Sequence, residues 1–301
     1  MPSLLDMTDV PMTNIMEWCD MKSVMILRKV CHSLRNFIDD SKLKIGLDHF
    51  HIGSSSGRVK IEYGIEKDET IEKSYKLRNV PMEDLRLIFN LQNSKMSKFV
   101  VAIDPYQKGV LADLEAILKA RPRPLQVETF QQSKSNLLQI HLLLPYFDSK
   151  SIKKIIMSRE KAPHLVDGEE AFLNSEHFKN AEDLRVFELI FNKPLERFMH
   201  LKSFALSIQG FSIQDIVFLK KALKKPDTHN RQFKILNSRL TDHELREEFG
   251  VPLYSAKGWK DWYFKTPNHP DHVLRMRVEF GALTLRRVRR SDKLTDDLIR
   301  N

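Results

Sequence analysis

Residues 4 to 38, LLDMTDVPMTNIMEWCDMKSVMILRKVCHSLRNFI, place apolar side chains at helical spacing twice in succession, with almost no loop between the two runs. Met12, Ile15, Met16 and Cys19 stand at i, i+3, i+4 and i+7, which lines one face of an α-helix. Thr8 or Asp9 is placed to accept the free amide hydrogens of the opening turn, and Pro11 is tolerated there because its missing N–H would have no intrahelical partner. Asp20 is a second capping residue. Behind it Val24, Leu27, Cys31, Leu34 and Ile38 step by threes and fours, while Lys22, Arg28, Lys29, His32 and Arg35 lie off the stripe. Two short helices so closely joined carry more apolar surface than they can cover on each other, so the pattern predicts a docking module.

The ordered positions within these runs resemble an F-box. A leading apolar residue and an apolar helix precede a short Asp-containing turn, after which Asp20-Met21, Leu27-Arg28, Val30-Cys31-His32 and Leu34-Arg35 follow the family's second-helix pattern. Thr8 follows Met7 where the family usually has proline, and Leu34 stands where tryptophan is common. The resemblance implies a helical hook that inserts into the Skp adaptor subunit of a cullin-based, SCF-type ubiquitin ligase. Its expected anchors are Leu5, Met7, Ile15, Met16, Val24, Leu27, Val30 and Leu34, in a helix-in-groove interface. Each fully buried anchor would contribute roughly 1.5–3 kcal/mol of transfer free energy, offset by the cost of association. Two readings compete. The runs could be the first helices of an ordinary core, or a helix-turn-helix DNA reader using Arg28, Lys29, His32 and Arg35. The absence of glycine from the turn and of a base-reading pattern in the basic residues weighs against the second.

With 301 residues the chain is long enough for a small module plus one larger domain, and 42% hydrophobic with 30% charged residues is an ordinary globular composition. The longest near-apolar stretch, 137–147, is interrupted by Gln139 and His141 and is too short to span a bilayer, and the first residues lack the pattern of a secretory signal. A cytoplasmic or nuclear location without membrane association is expected. The two cysteines, Cys19 and Cys31, fall on the apolar stripes and are expected as small buried hydrophobes rather than as a disulfide or zinc site. The +9 charge arises from 49 basic and 40 acidic residues mostly interspersed along the chain, a balance that more often marks a solvated surface than a nucleic-acid track.

After Ile38 the periodicity changes. Residues 47–52, 58–63 and 70–75 read as short strands of an antiparallel meander, separated by the turn-rich GSSSG and the charged EKDE. Further strands are expected at 98–103, 125–130, 152–158, 184–189, 201–208 and 233–236, with helical patterns over Val110–Leu118 and Ile213–Leu223 between them. Repeated strand and helix pieces at this spacing predict an α/β fold: residues 1–42 as a small helical domain, then 43–301 as an irregular leucine-rich-repeat-like α/β domain, or alternatively an α+β domain with a mixed sheet. Near the end, Trp259, Trp262, Tyr263 and Phe264 precede VLRMRVEF, in which Met276, Val278 and Phe280 should face inward, pairing as a hairpin with residues 283–288.

This larger segment also resembles a family, the FTH-type domain that follows the F-box in many nematode F-box proteins. The resemblance rests on DLEAILKARPRPLQVETF, LLPYFDSKSIKKI, HFKNAEDLRVF, FMHLKSFALSIQGFSIQDIVFLKKAL, YFKTPN and VLRMRVEF, which together span most of residues 43 to 290. It implies a domain that selects the protein to be ubiquitinated, with no binding residue transferable.

No G-x-x-x-x-G-K-[ST], G-x-S-x-G or H-E-x-x-H motif is present, and the Gly53-to-Gly57 segment reads as a turn. His269, Asp271 and His272 have ligand-like spacing without a second pair of ligands, and Asp242-His243-Glu244 reads as the first turn of a helix. A non-catalytic adaptor with no cofactor or metal is the leading expectation. Its partners would be a Skp-type protein, through it a cullin, and an unidentified protein substrate. The alternative is a basic RNA-binding module, with the 259–264 aromatics beside Lys257 and Lys260 stacking bases, and Arg286, Arg287, Arg289 and Arg290 holding phosphates.

Overall fold

The apolar runs at the start of the chain fold as three helices in the computed structural model: α1 (Asp9–Glu17), α2 (Met21–Leu27) and α3 (His32–Asp40). The second run, expected as one helix, is split. Lys29 and Val30 donate to the carbonyls of Ile26 and Leu27, tightening the last turn of α2, and Cys31 is extended at φ −157°. Its Sγ then accepts from the Leu34 amide at 3.5 Å and starts α3. Cys31 and Cys19 are therefore half-buried rather than core residues. Thr8 occupies the cap position of α1, although its hydroxyl makes no capping bond. The structure describes all residues except 1–6, 20, 42, 44–45, 65–69, 93, 105–106, 135–141, 160–163, 166–167, 226–230, 255–257, 267–269, 292–293, 296–297 and 301, and except the side chains of Met21, Arg78, Lys108, His164 and Leu165. The expected anchor Leu5, the capping candidate Asp20, Lys257 and His269 thus lie outside the described residues.

Two compact units make up the chain, Met1–Lys153 and Lys154–Asn301. In the first, β1 (His49–Ser55), β2 (Arg58–Gly64) and β3 (Thr70–Lys76) form the expected antiparallel meander. The strand β1 runs through Gly53–Ser55, which were read as part of a turn. The turn itself is only Ser56-Gly57, both at positive φ (50° and 75°), the backbone a two-residue hairpin needs. Helices α4 (Met82–Leu91) and α5 (Lys108–Lys119) lead into β4 (Met96–Ala102) and β5 (Val127–Ser133), which run parallel to β1 in the order β3-β2-β1-β4-β5. Register places Tyr63, Phe50, Phe99 and Phe130 in one row across the strands. Phe89 of α4 meets Phe50 edge-on at 4.8 Å, and Phe147 meets Phe99 at 4.9 Å. These rings are the centre of the unit's core.

The second unit begins with β6 (Lys154–Ser158), β7 (His164–Leu165), β8 (Asp183–Phe191), β9 (Ser203–Ile208) and β10 (Gln232–Ile235), all mutually parallel. Between them lie α6 (Glu169–Asn174), α7 (Glu176–Asn180) and α8 (Ile213–Leu223), the last opened by a Ser212/Asp215 capping box. After α9 (Asp242–Phe249), capped in the same way by Thr241 and Glu244, come β11 (Leu253–Tyr254), β12 (Lys260–Lys265), β13 (His272–Glu279), β14 (Ala282–Arg289) and β15 (Ile299–Arg300). The order is β11-β12-β13-β14-β10-β9-β8-β6, with β14 to β11 antiparallel, β15 beside β12 and β7 beside β8. The fold is mixed α/β. Its parallel strands alternate with helices as a repeat-like stack does, and its antiparallel continuation is what the mixed-sheet alternative describes.

One inward assignment is corrected. Met276 is buried and Val278 half-buried, but Phe280 is 94% exposed at φ 47°. Glu279 pairs directly with Ala282, so Phe280 and Gly281 are the whole connection between β13 and β14, and both take the left-handed backbone that such a hairpin demands.

Candidate docking surface

Helical spacing divides the apolar residues of 7–38 into an inner and an outer set. Met12 and Met16 of α1, Val24 and Met25 of α2, and Leu34 and Ile38 of α3 are buried, as the i, i+3, i+4 period requires of a packed face. Met7, Val10, Ile15, Trp18, Ile26 and Val30 point outward, Val30 at 65% exposure and Trp18 at 92%. Twelve large apolar side chains are exposed among the described residues, and these six fall within the first tenth of the chain. Half of the large apolar side chains exposed among the described residues thus lie in one short helical segment, where single exposed hydrophobes are ordinarily scattered.

The turn that displays Val30 is clamped. Arg28 donates to both carboxylate oxygens of Asp39, at 2.7 and 3.0 Å, and to Asp84 at 3.4 Å, while Arg35 Nε donates to the Arg28 carbonyl at 3.4 Å. The hydrogen bond that Arg28 donates to Asp39 is the main reason that its guanidinium is held above its ordinary pKa. A fork bound at both prongs fixes the turn between α2 and α3 more firmly than a single contact would.

Of the expected anchors, Met7, Ile15 and Val30 are exposed, Leu27 is half-buried, and Met16, Val24 and Leu34 lie inside the module. Sequence reasoning missed Val10, Trp18 and Ile26. The signal was present, because each is a large apolar residue standing off the stripe that packs inward.

The C-terminal aromatic and arginine cluster is largely spent on the fold. Trp262 is buried with Nε1 donating to the Gly250 carbonyl at 2.9 Å, and Phe264 is buried against Phe249. The Arg277 guanidinium lies 4.3 Å from the Trp259 ring centre and is bound to Asp261 at 2.7 and 2.8 Å, while Lys260 pairs with Asp242. Arg287 donates to the carbonyls of Leu223 and Lys225 at the end of α8, and Arg290 to that of Leu294. Arg286 and Arg289 remain exposed. Among the described residues no group of His, Cys, Asp or Glu is arranged to hold a metal ion, and no helix is long and apolar enough to cross a membrane.

Comparison with known families finds two matches. Residues 4–46 match the F-box domain, which spans the three helices, and residues 108–252 match the FTH domain. No curated protein and no solved structure matches the chain. With an F-box at its start and an FTH domain behind it, the chain belongs to the F-box proteins that carry an FTH domain.

Proposed function

We propose that this protein docks a Skp-type adaptor of a cullin-based ubiquitin ligase through its N-terminal helices and recruits a protein substrate through the α/β domain. The F-box domain supports a substrate-adaptor role in a ubiquitin ligase in general terms. The observation that carries the finer reading is the outward apolar set Met7, Val10, Ile15, Trp18, Ile26 and Val30, which nothing among the described residues covers. In this reading residues 1–42 are the docking domain and 43–301 the recruiting domain. Met16, Val24 and Leu34 act from inside by fixing the helices that present the outer set, and Leu27 sits at the rim.

Such a protein accelerates ubiquitin transfer by proximity, because a tethered target meets the loaded enzyme at high effective concentration. None of its own side chains needs to touch the reacting bond. Co-expression with a Skp-type adaptor is expected to yield a one-to-one complex that survives size-exclusion chromatography. Elution of the two chains separately at micromolar concentration would overturn the proposal.

A further inference from the structure

Strand register in the second unit assembles two polar rows on the sheet face opposite Trp262, Phe264 and Leu285, a face that is itself closed over at Asp261 and Thr284. The first runs Tyr263, Arg275, Arg286, Gln232, Ser203, Asp183 and Lys154 across six neighbouring pairings, and the second runs Asp261, Arg277, Thr284, Lys234, Ala205 and Arg185. Four cations of these rows have carboxylate partners. Lys154 and Arg185 share Asp183 at 2.9 and 3.2 Å, Arg277 holds Asp261 at 2.7 Å, and Lys234 reaches Glu279 at 3.6 Å. Arg275 and Arg286 make no ion pair among the described residues, although they stand directly opposite each other on adjacent strands.

Like charges paired across strands disfavour the sheet, so the pair stands at a cost unless a counter-charge meets it. Arg275 is half-buried, and its Nε is closed off from solvent without a hydrogen-bond partner. Burial first, then Arg286 and Arg277, hold its pKa below the ordinary value, and Asp261 and Tyr263 only partly oppose them. The row continues on both sides with neutral hydrogen-bonding groups, the Tyr263 hydroxyl and the exposed Gln232 amide.

We propose that the Tyr263–Arg275–Arg286–Gln232 row binds an acidic segment of the recruited protein, whose carboxylates neutralise the two facing guanidiniums. Charge complementarity selects the occupant: carboxylates supply the acceptors that the sheet gives its other cations and withholds from these two. A nucleic acid fits less well. Trp262 and Phe264 are buried, Trp259 is covered by Arg277, and the Tyr263 ring packs against the cluster of Val273, Leu294 and Ile299, so the aromatic faces that would stack bases are taken. The inference deepens the recruiting role proposed above and depends on that role only for the identity of the bound protein.

The test uses the full chain and a labelled peptide of alternating Glu and Ser, which presents its carboxylates on one side when extended. Fluorescence anisotropy is expected to show binding that weakens with salt and is about tenfold or more weaker for Arg286→Glu. Arg286 is exposed, so that variant keeps its fold. Arg275→Gln should weaken the peptide in the same direction, with circular dichroism checking that its sheet is intact. Equal binding by wild type and Arg286→Glu, equal binding of a Gln-for-Glu peptide, or tighter binding of an oligouridylate than of the acidic peptide would each overturn the proposal. Adaptor co-purification by Arg286→Glu separates the two readings. Loss of co-purification in wild type and variant alike sinks the adaptor proposal alone, whereas a wild-type chain that retains the adaptor but does not bind the peptide sinks this one alone.

Discussion

Phe99→Ala is expected to lower the stability of the N-terminal unit by about 3–5 kcal/mol, the range for deleting a large aromatic from a packed core. Phe99 is fully buried, and the rings of Phe50, Phe89, Phe130 and Phe147 lie between 4.9 and 6.5 Å from its own. These neighbours come from two adjacent strands, from α4 and from the segment after β5, so no single shift can refill the space that alanine leaves. Urea denaturation followed by far-UV circular dichroism should show a lower midpoint with an unchanged slope. Phe99→Leu, which keeps most of the volume, should cost distinctly less. A loss below about 1 kcal/mol for the alanine variant would mean that the five rings do not form the centre of the unit.

The second large effect is expected at Asp261. Asp261→Ala leaves the Arg277 guanidinium beneath the Trp259 ring without the carboxylate that takes two of its hydrogen bonds, at 2.8 and 2.7 Å. Removing one partner of a buried ion pair is worse than removing both, because the remaining charge stays desolvated. The Asp261 side chain is 7% exposed and that of Arg277 17%, so a loss near 3 kcal/mol, the lower end for buried pairs, is expected. Adding Arg277→Met to Asp261→Ala should restore part of the stability, and a double-mutant cycle measures that coupling. Strict additivity of the two changes would contradict the pairing.

Much of this was legible in the residues. Alternation of period two located the meander and the parallel strands, and the 3.6-residue period located α5 and α8. The place of Asp242-His243-Glu244 in the first turn of α9 followed from their types, whereas the Thr241 cap did not. What failed was governed by register and by distant partners. Phe280 belongs to the alternating pattern of VLRMRVEF, yet a hairpin with Ala282 facing Glu279 leaves it only a turn position. The GSSSG segment looks like a loop by composition, but β4 holds Gly53 in a strand by pairing it with Ala102. In the docking module, spacing identified which residues share a face without revealing whether that face looks inward or outward. For Val24 and Leu34 the two helices part at residues 28–30, where Arg28 is held chiefly by Asp39 and more loosely by Asp84, far along the chain. The row containing Arg275 and Arg286 was invisible for the same reason, because only the β13–β14 register sets one opposite the other.

The claim on which the account rests is that Ile15, Trp18 and Val30 serve a partner and not the fold. The most direct measurement is the amount of Skp-type adaptor retained by Trp18→Asp, Val30→Asp and Val24→Asp, read beside the melting temperature of each chain. The account predicts that the two surface variants melt like wild type and lose adaptor binding, by about 2 kcal/mol or more for each anchor at a hot spot, while the interior variant loses fold and binding together. Full retention of the adaptor by both surface variants would contradict it.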